Sequence, residues 1–278
     1  MSQGSGDELP SDIGSDGGAD TVADDAGLPD DVEEIPRYLD GTIQDDILEV
    51  FTPPRVVPAA VAAGLRGEIS IDITSGHDLT TDSWQQWTQL TLRSRRPRVV
   101  ISSAPCTAFC PLIHMAKNKM SLSKLRARQD VGLTLFNFSM MIAHIQRATG
   151  TGFIHEHPSR ASSWSLASVK EMLESGFYES TTFDQCRYGL TSPLGHPLKK
   201  RTRLMSCNVT GVKQEFRLKC NCPKALDFGQ GLTKHKIILG NEAGHKLSRW
   251  AQCYPKGMVD AFVRCIQQTV AQQTSDAV

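Results

Sequence analysis

Between residues 46 and 272, short apolar runs alternate with stretches of helical pattern, and this alternation restricts the fold more than any other feature of the chain. Residues 46–51, 68–73, 97–101, 153–154, 178–183 and 202–208 read as strands. Residues 56–63, 84–93, 125–149, 165–176 and 256–272 read as helices. Pro54 is placed to start the first of them, and Gly64 and Gly176 are placed to close the first and the fourth. In 125–149 the spacing puts Leu133, Phe136, Met140, Met141 and Ile145 on one side. Strands separated by helices of ten or more residues need crossover connections. The expected architecture is therefore α/β: a doubly wound, mostly parallel sheet with helices on both faces. In such sheets ligands gather at the carboxyl ends of the strands. Phe51, Asp72, Asp78, Cys106 and Glu156 all fall at or just beyond such ends.

The formal net charge of zero conceals a strong asymmetry. Residues 1–46 hold 14 of the 30 acidic residues and one base, Arg37, so the rest of the chain carries 29 bases against 16 acids. A basic body with an acidic segment suits a nucleic-acid binder, or a chain whose acidic part competes for the same surface; the plain alternative is a solvated basic face. Residues 1–46 are rich in Gly, Ser and Asp, bury too little apolar surface to offset their ordering entropy, and are expected to be a disordered acidic tail. The expected body is a catalytic domain over 47–207, a small basic insertion over 208–250 and a closing helix within 251–278. No apolar run reaches transmembrane length and the first residues lack signal-peptide character, so the expectation is no membrane partner and a nuclear or cytoplasmic location. The eight cysteines show no framework spacing, which favours reduced thiols.

Three groups carry candidate chemistry. Cys106 follows Pro105 in a tight turn after a strand, and a nucleophilic thiol there needs electropositive surroundings, for which Lys117, Lys119 and Arg126 are near in sequence. Against this stands the common fate of a free cysteine, a small buried hydrophobe. Glu156 lies between His155 and His157, where a buried carboxyl can donate a proton to a ring nitrogen or serve only as a structural carboxylate. On a strand His155 and His157 share one face and Glu156 takes the other, and no third ligand is evident, so no metal is assigned there. Arg201 and Arg203 alternate at the start of a strand and point the same way, suited to phosphate or base contacts, or to a basic edge that deters strand pairing. Cys220 and Cys222, with His235, His245 and Cys253 downstream, lack a standard zinc spacing, and no metal is assigned to them either.

The order of Pro105-Cys106, a strand ending in Glu156-His157-Pro158, and Lys199-Lys200-Arg201-Thr202-Arg203 resembles the DNA (cytosine-5)-methyltransferases across roughly residues 47–270. Phe109 falls where that family has its usual phenylalanine, and Cys253-Tyr254-Pro255 is similar to its closing Asn-Ala-Val-Pro segment. The resemblance implies a Rossmann-like, class I methyltransferase-like fold with a small irregular insertion near the C-terminus. It implies S-adenosylmethionine as cofactor, held by Phe51, Asp72, Asp78 and Pro105. Cys106 would add to carbon 6 of cytosine, Glu156 would contact ring nitrogen 3, and Arg201 and Arg203 would help hold the base. Lys199, Lys200, Lys117 and Arg126 would contact nucleic acid, DNA by this likeness, with the target base extruded or already single-stranded.

The departures from that pattern are specific. Phe51-Thr52-Pro53-Pro54-Arg55 replaces a Gly-rich loop, so two prolines remove backbone donors and flexibility. Thr107 and Lys199 replace glutamines, His157 replaces an asparagine, and residues 208–249 are short for a target-recognition domain. The Phe-x-Pro-Pro start and the Glu-His-Pro motif also resemble domains carried in retrotransposon-like polyproteins. Two other readings therefore stand beside the methyltransferase: a catalytically degenerate domain that binds nucleic acid without turnover, and a small-molecule or thiol enzyme on the same sheet.

Overall fold

The structure is a computed structural model that describes residues 45–110, 120–221 and 235–275. Its centre is one six-stranded, mostly parallel sheet built from β1 (Ile47–Val50), β2 (Ser70–Ile71), β3 (Val99–Ser102), β4 (Gly152–Pro158), β5 (Glu179–Asp184) and β6 (Arg201–Cys207). The strands lie in the order β2-β1-β3-β4-β6-β5. The first four are parallel, and β6 runs antiparallel to both β4 and β5. The runs Ile47–Val50 and Val99–Ser102 are buried at every position because helices cover both faces, which leaves little room for polar alternation.

One face carries Leu48, Val50, Val100, Phe153, Met205 and Cys207, packed under α2 (Asp82–Arg95), α3 (Leu122–Ala148) and α4 (Ala167–Glu174). The other carries Ile47, Val99, Ile101, Ile154 and Leu204, packed under α1 (Val56–Ala62), α5 (Val212–Glu215) and α7 (Lys256–Ser275). Between α5 and α7 the described chain forms a small hairpin, β7 (Asn241–Glu242) and β8 (His245–Lys246), and the short α6 (Leu247–Trp250). No helix among the described residues is long and apolar enough to cross a membrane.

Several expectations shift in detail. The 68–73 strand shortens to Ser70–Ile71, since an edge strand pairs on one side only. The 153–154 strand lengthens through His155, Glu156 and His157 to Pro158, because these polar residues are buried inside the sheet. On α3 the buried stripe is Gly132, Leu135, Phe136, Ser139, Ile142, Ala143 and Gln146, while Leu133 is 37% exposed. That stripe keeps the i, i+3, i+4 spacing but is made partly of small and polar side chains, so apolar residues alone misplace its centre. Pro54 does not begin α1. Asp45 and Asp46, placed in the expected tail, are both buried: Asp45 pairs with Arg95, and Asp46 with Arg66 and Arg98. Residues 1–44 of the expected 1–46 acidic tail, Lys117 and Lys119, and Cys222 lie outside the described residues.

Candidate functional site

The registers of the parallel strands fix where the candidate residues meet. Val50 pairs with Ile71 and Ser102, and Ser102 pairs with His155. The next rung at the carboxyl end therefore holds Phe51, Asp72, Ser103 and Glu156 side by side. Phe51 N–H still donates to the Ile71 carbonyl and Ser103 N–H to the Val50 carbonyl, which holds this rung in line. Cys106 follows in a 3-10 turn, Cys106–Ala108, that Pro105 introduces with φ −55°.

Glu156 is 5% exposed, and its two oxygens have different surroundings. Oε2 accepts from Ser103 Oγ at 3.2 Å. Oε1 is buried without a hydrogen-bond partner and faces Lys200 Nζ at 3.7 Å. Lys200 also donates to the Ala251 carbonyl at 3.2 Å. Ser103 Oγ in turn contacts the hydroxyl of Tyr254, a buried phenol kept protonated by its desolvation and by the carboxylates of Glu156 and Glu49. The segment before α7 thus closes over the turn after β3. It also closes over the loop after β1, where Arg55 Nη2 donates to Cys253 Sγ at 2.9 Å.

Cys106 has a second thiol beside it. Cys110 N–H donates to the Cys106 carbonyl at 2.9 Å, which brings the two side chains together across the turn. Donation of its S–H to Cys110, then burial, raises the Cys106 pKa far above the ordinary thiol range; the same hydrogen bond lowers that of Cys110. Lys200 favours the thiolate of either, and Glu156 opposes it. The turn itself is seated on α3, where a Cβ on Gly132 would lie 2.3 Å from the Ala108 Cβ.

On the opposite face of β4, His155 and His157 point into an aromatic cluster with Phe109, Phe136 and Trp164. His157 Nδ1 lies 2.6 Å from Ser163 Oγ, and His155 Nδ1 lies 3.1 Å from Ser139 Oγ. Burial lowers both pKa values, that of His157 to about 3 with Lys200 adding to the effect, so both rings are neutral at pH 7. Arg203 pairs in register with His157 and shares this face. Its guanidinium lies over the Trp164 ring at 4.7 Å and donates to Ser180 Oγ at 3.0 Å. Arg201 forms a two-pronged pair with the fully buried Asp184, at 3.0 and 3.1 Å. The base beside Glu156 is Lys200, while the two arginines anchor β6, the strand that follows it.

The residues expected to hold the cofactor are spread along the same strand ends. Phe51 is half-buried, edge-on to Phe138, with φ 62°, a left-handed conformation that costs a non-glycine residue. Asp72 Oδ1 accepts from the backbone and hydroxyl of Thr74. Asp78 Oδ1 does the same with Thr80, bonds that hold its carboxyl below the usual range. Glu49, unremarked in the sequence, is fully buried on β1. Its Oε2 accepts from the backbone N–H groups of Arg55 and Val57 at 3.1 and 2.8 Å and from Ser70 Oγ at 3.0 Å. Those N–H groups are the donors a helix start would otherwise offer to an anion.

The rim of this end is basic: Arg55, Arg160 and Lys199 are exposed, and Arg126 is exposed near the start of α3. A separate cleft of about 460 Å³ lies at the opposite end of the sheet, lined by Gly150, Glu179, Cys207 and Asn208 among others, and holds none of the candidate residues. Ser103 and Cys110 join the site without having been singled out in the sequence, and Tyr254, noted there only as part of the closing segment, joins it through Ser103. For Cys110 the four-residue spacing from Cys106 was the available signal. No family model matches this chain, and no curated protein matches it.

Proposed function

We propose that this protein is an S-adenosylmethionine-dependent methyltransferase that acts on cytosine in nucleic acid, with DNA as the substrate and Cys106 as the nucleophile. The observation that carries the reading is the single rung of Phe51, Asp72, Ser103 and Glu156, with Cys106 one turn beyond it and Lys200 beside the carboxylate. The six-stranded, mostly parallel sheet is compatible with the Rossmann-like, class I methyltransferase arrangement that the resemblance implies.

The roles follow from the geometry. Cys106 loses its proton to solvent, with Lys200 favouring the thiolate, and the sulfur forms an S–C bond to carbon 6 of the pyrimidine as the 5,6 double bond opens. The ring electron pair moves toward carbon 5 and nitrogen 3. Glu156 Oε1, which lacks a hydrogen-bond partner, is the oxygen free to meet nitrogen 3 or the exocyclic amine, while Ser103 and Lys200 fix the carboxyl. Arg55, Arg160 and Lys199 attract the phosphate backbone to this end.

The fit to the cofactor is unequal along its length. At the nucleoside end, the carboxylates of Asp72 and Asp78 each engage one oxygen locally, which leaves the other to accept from ribose hydroxyls. At the amino-acid end, Pro53 and Pro54 have no N–H and Glu49 takes those of Arg55 and Val57, so a carboxylate there would depend on the exposed Arg55 side chain. When bound, S-adenosylmethionine supplies an electrophilic methyl group. Calorimetry with S-adenosylmethionine tests this half of the reading: saturable binding that Asp72→Ala weakens supports it, and no heat at millimolar cofactor overturns it.

The occupied donors around Glu49 and the raised Cys106 pKa favour one second reading, a domain that binds nucleic acid without turnover. In that case Cys106→Ala leaves DNA affinity unchanged, Lys199→Ala with Arg160→Ala reduces it and flattens its salt dependence, and no methyl transfer is detected.

A further inference from the structure

Away from the strand-end site, the edge of the sheet beyond β5 gathers three soft ligands from three separate stretches of chain. Cys186 lies in the 3-10 turn Gln185–Tyr188 that directly follows β5. Cys220 lies just past α5. His235 leads into Lys236, which joins Leu198 in an isolated bridge and donates its N–H to the Pro197 carbonyl at 2.9 Å. The Cys186 and Cys220 sulfurs and a His235 ring nitrogen all lie within 4.8 Å of one another. The Cys220 Sγ to His235 Nε2 distance is 3.4 Å.

We propose that Cys186, Cys220 and His235 bind a zinc ion, supplying three of its four tetrahedral positions. Zinc–sulfur bonds of about 2.3 Å and zinc–nitrogen bonds of about 2.0–2.1 Å at tetrahedral angles put sulfur and nitrogen about 3.5 Å apart and two sulfurs about 3.8 Å apart. The Cys220–His235 spacing already meets that requirement, and the Cys186 sulfur lies within 4.8 Å of both partners. Two thiolates and an imidazole select a borderline-soft ion and exclude magnesium or calcium. This set differs from the one that sequence spacing suggests. Cys253 is engaged with Arg55, and His245 packs against Trp250, whereas Cys186, distant in sequence, is brought in by the turn after β5.

The site would act as a fastener. Cys220 N–H donates to Asp184 Oδ2 at 2.8 Å, and the same carboxylate holds Arg201. Arg187, next to Cys186, donates to the Lys219 carbonyl at 3.1 Å, next to Cys220. An ion here ties the β5 turn, the segment after α5 and the loop at Leu198 into one unit beside the start of β6. The proposal does not depend on the assignment of Cys106.

Tag-free, full-length protein, purified with reductant and dialysed against zinc-free buffer, is analysed for metal and then reconstituted with cobalt(II). The expected result is one zinc per chain and, with cobalt, a sulfur-to-cobalt charge-transfer band with the intense visible bands of tetrahedral coordination. Cys186→Ser and Cys220→Ser should each weaken the charge-transfer band and lower zinc retention, His235→Ala should lower retention, and His245→Ala should change neither. The cobalt spectrum of the unmutated protein keeps the test valid even where a variant fails to fold. Absence of bound metal, undiminished zinc in Cys186→Ser, or a Cys186–Cys220 disulfide in the freshly isolated protein would each overturn the proposal.

Discussion

Lys200 Nζ lies 3.7 Å from Glu156 Oε1, while Arg201 and Arg203, its neighbours on the chain, are spent on Asp184, Ser180 and Trp164. The cation beside the candidate acid is thus a lysine at the position just before β6. Its partner carboxyl is buried, and its own side chain is 18% exposed. Glu156→Gln removes the charge and keeps the shape. Methyl transfer should fall by about 100-fold or more. Stability in urea should fall by about 1–3 kcal/mol, because Lys200 is left facing a neutral amide. The double variant Glu156→Gln with Lys200→Met should recover part of that loss, and strict additivity of the two single variants would show that the pair is not coupled.

Cys110 should govern how Cys106 titrates. The hydrogen bond from Cys106 to Cys110 keeps the former protonated, so Cys110→Ala removes the largest cause of its raised pKa. The midpoint of Cys106 alkylation, followed by mass spectrometry against pH, should move downward. It should stay above that of an ordinary thiol, because burial remains. An unchanged or higher midpoint would mean that the two thiols do not share a proton.

The neutral, buried histidines make stability depend on pH from the acidic side. His157 titrates at about 3 in the folded chain and at roughly 6.5 when unfolded. Between those values the unfolded chain binds a proton that the folded chain does not. The stabilisation is therefore complete above about pH 6.5 and falls as pH drops below it, by about 1.4 kcal/mol per pH unit for each such histidine. Urea titrations at pH 7, 6 and 5 should show this slope, with His155 adding to it in the same direction. His157→Gln should reduce it by about one histidine's share, and an unaltered slope would contradict the burial argument.

Gly132 should be intolerant of a side chain even though it sits in the middle of a helix. A Cβ there meets the Ala108 Cβ at 2.3 Å, in the turn that carries Cys106. Alanine would otherwise stabilise a helix interior by roughly 0.5–1 kcal/mol. Here Gly132→Ala should instead destabilise by about 1–3 kcal/mol through overpacking and change the alkylation rate of Cys106. A stabilised variant with unchanged Cys106 reactivity would show that the turn is not seated on α3 in this way.

Much of the sheet was legible because burial on both faces writes strands as apolar runs. Ile47–Val50 and Val99–Ser102 were found within one or two residues, and Phe51 and Asp72 fall just past strand ends as expected, whereas Glu156, expected at a strand end, lies inside β4. The apolar run marked β4 only at Phe153-Ile154, although strand alternation already put His155 and His157 on one face and Glu156 on the other, as β4 has them. One atom of each polar residue finds a partner, Ser139 for His155, Ser163 for His157 and Ser103 for Glu156, and Ser139 and Ser103 come from other elements of the chain. The same holds for Glu49, whose role as a cap for α1 depends on a chain reversal, and for Tyr254, which reaches Ser103 from 151 residues away. The face of α3 was legible in part: Phe136 and Met140 are buried and Met141 packs against the core, but Gly132, Ser139 and Gln146 carry no apolar signal and Leu133 is exposed. The metal-type cluster was obscured for the same reason: Cys186 and Cys220 meet only after β5 and β6 have paired.

The most direct measurement of the central claim is trapping on an oligonucleotide that carries 5-fluorocytosine, whose fluorine blocks the final release. Incubation with S-adenosylmethionine should give a denaturation-resistant adduct with the mass of one protein chain, one oligonucleotide and one methyl group. Cys106→Ser should abolish it, and Cys110→Ser should still form it. No adduct with the unmutated protein under conditions where it binds both DNA and cofactor, or an adduct that persists in Cys106→Ser, would contradict the account.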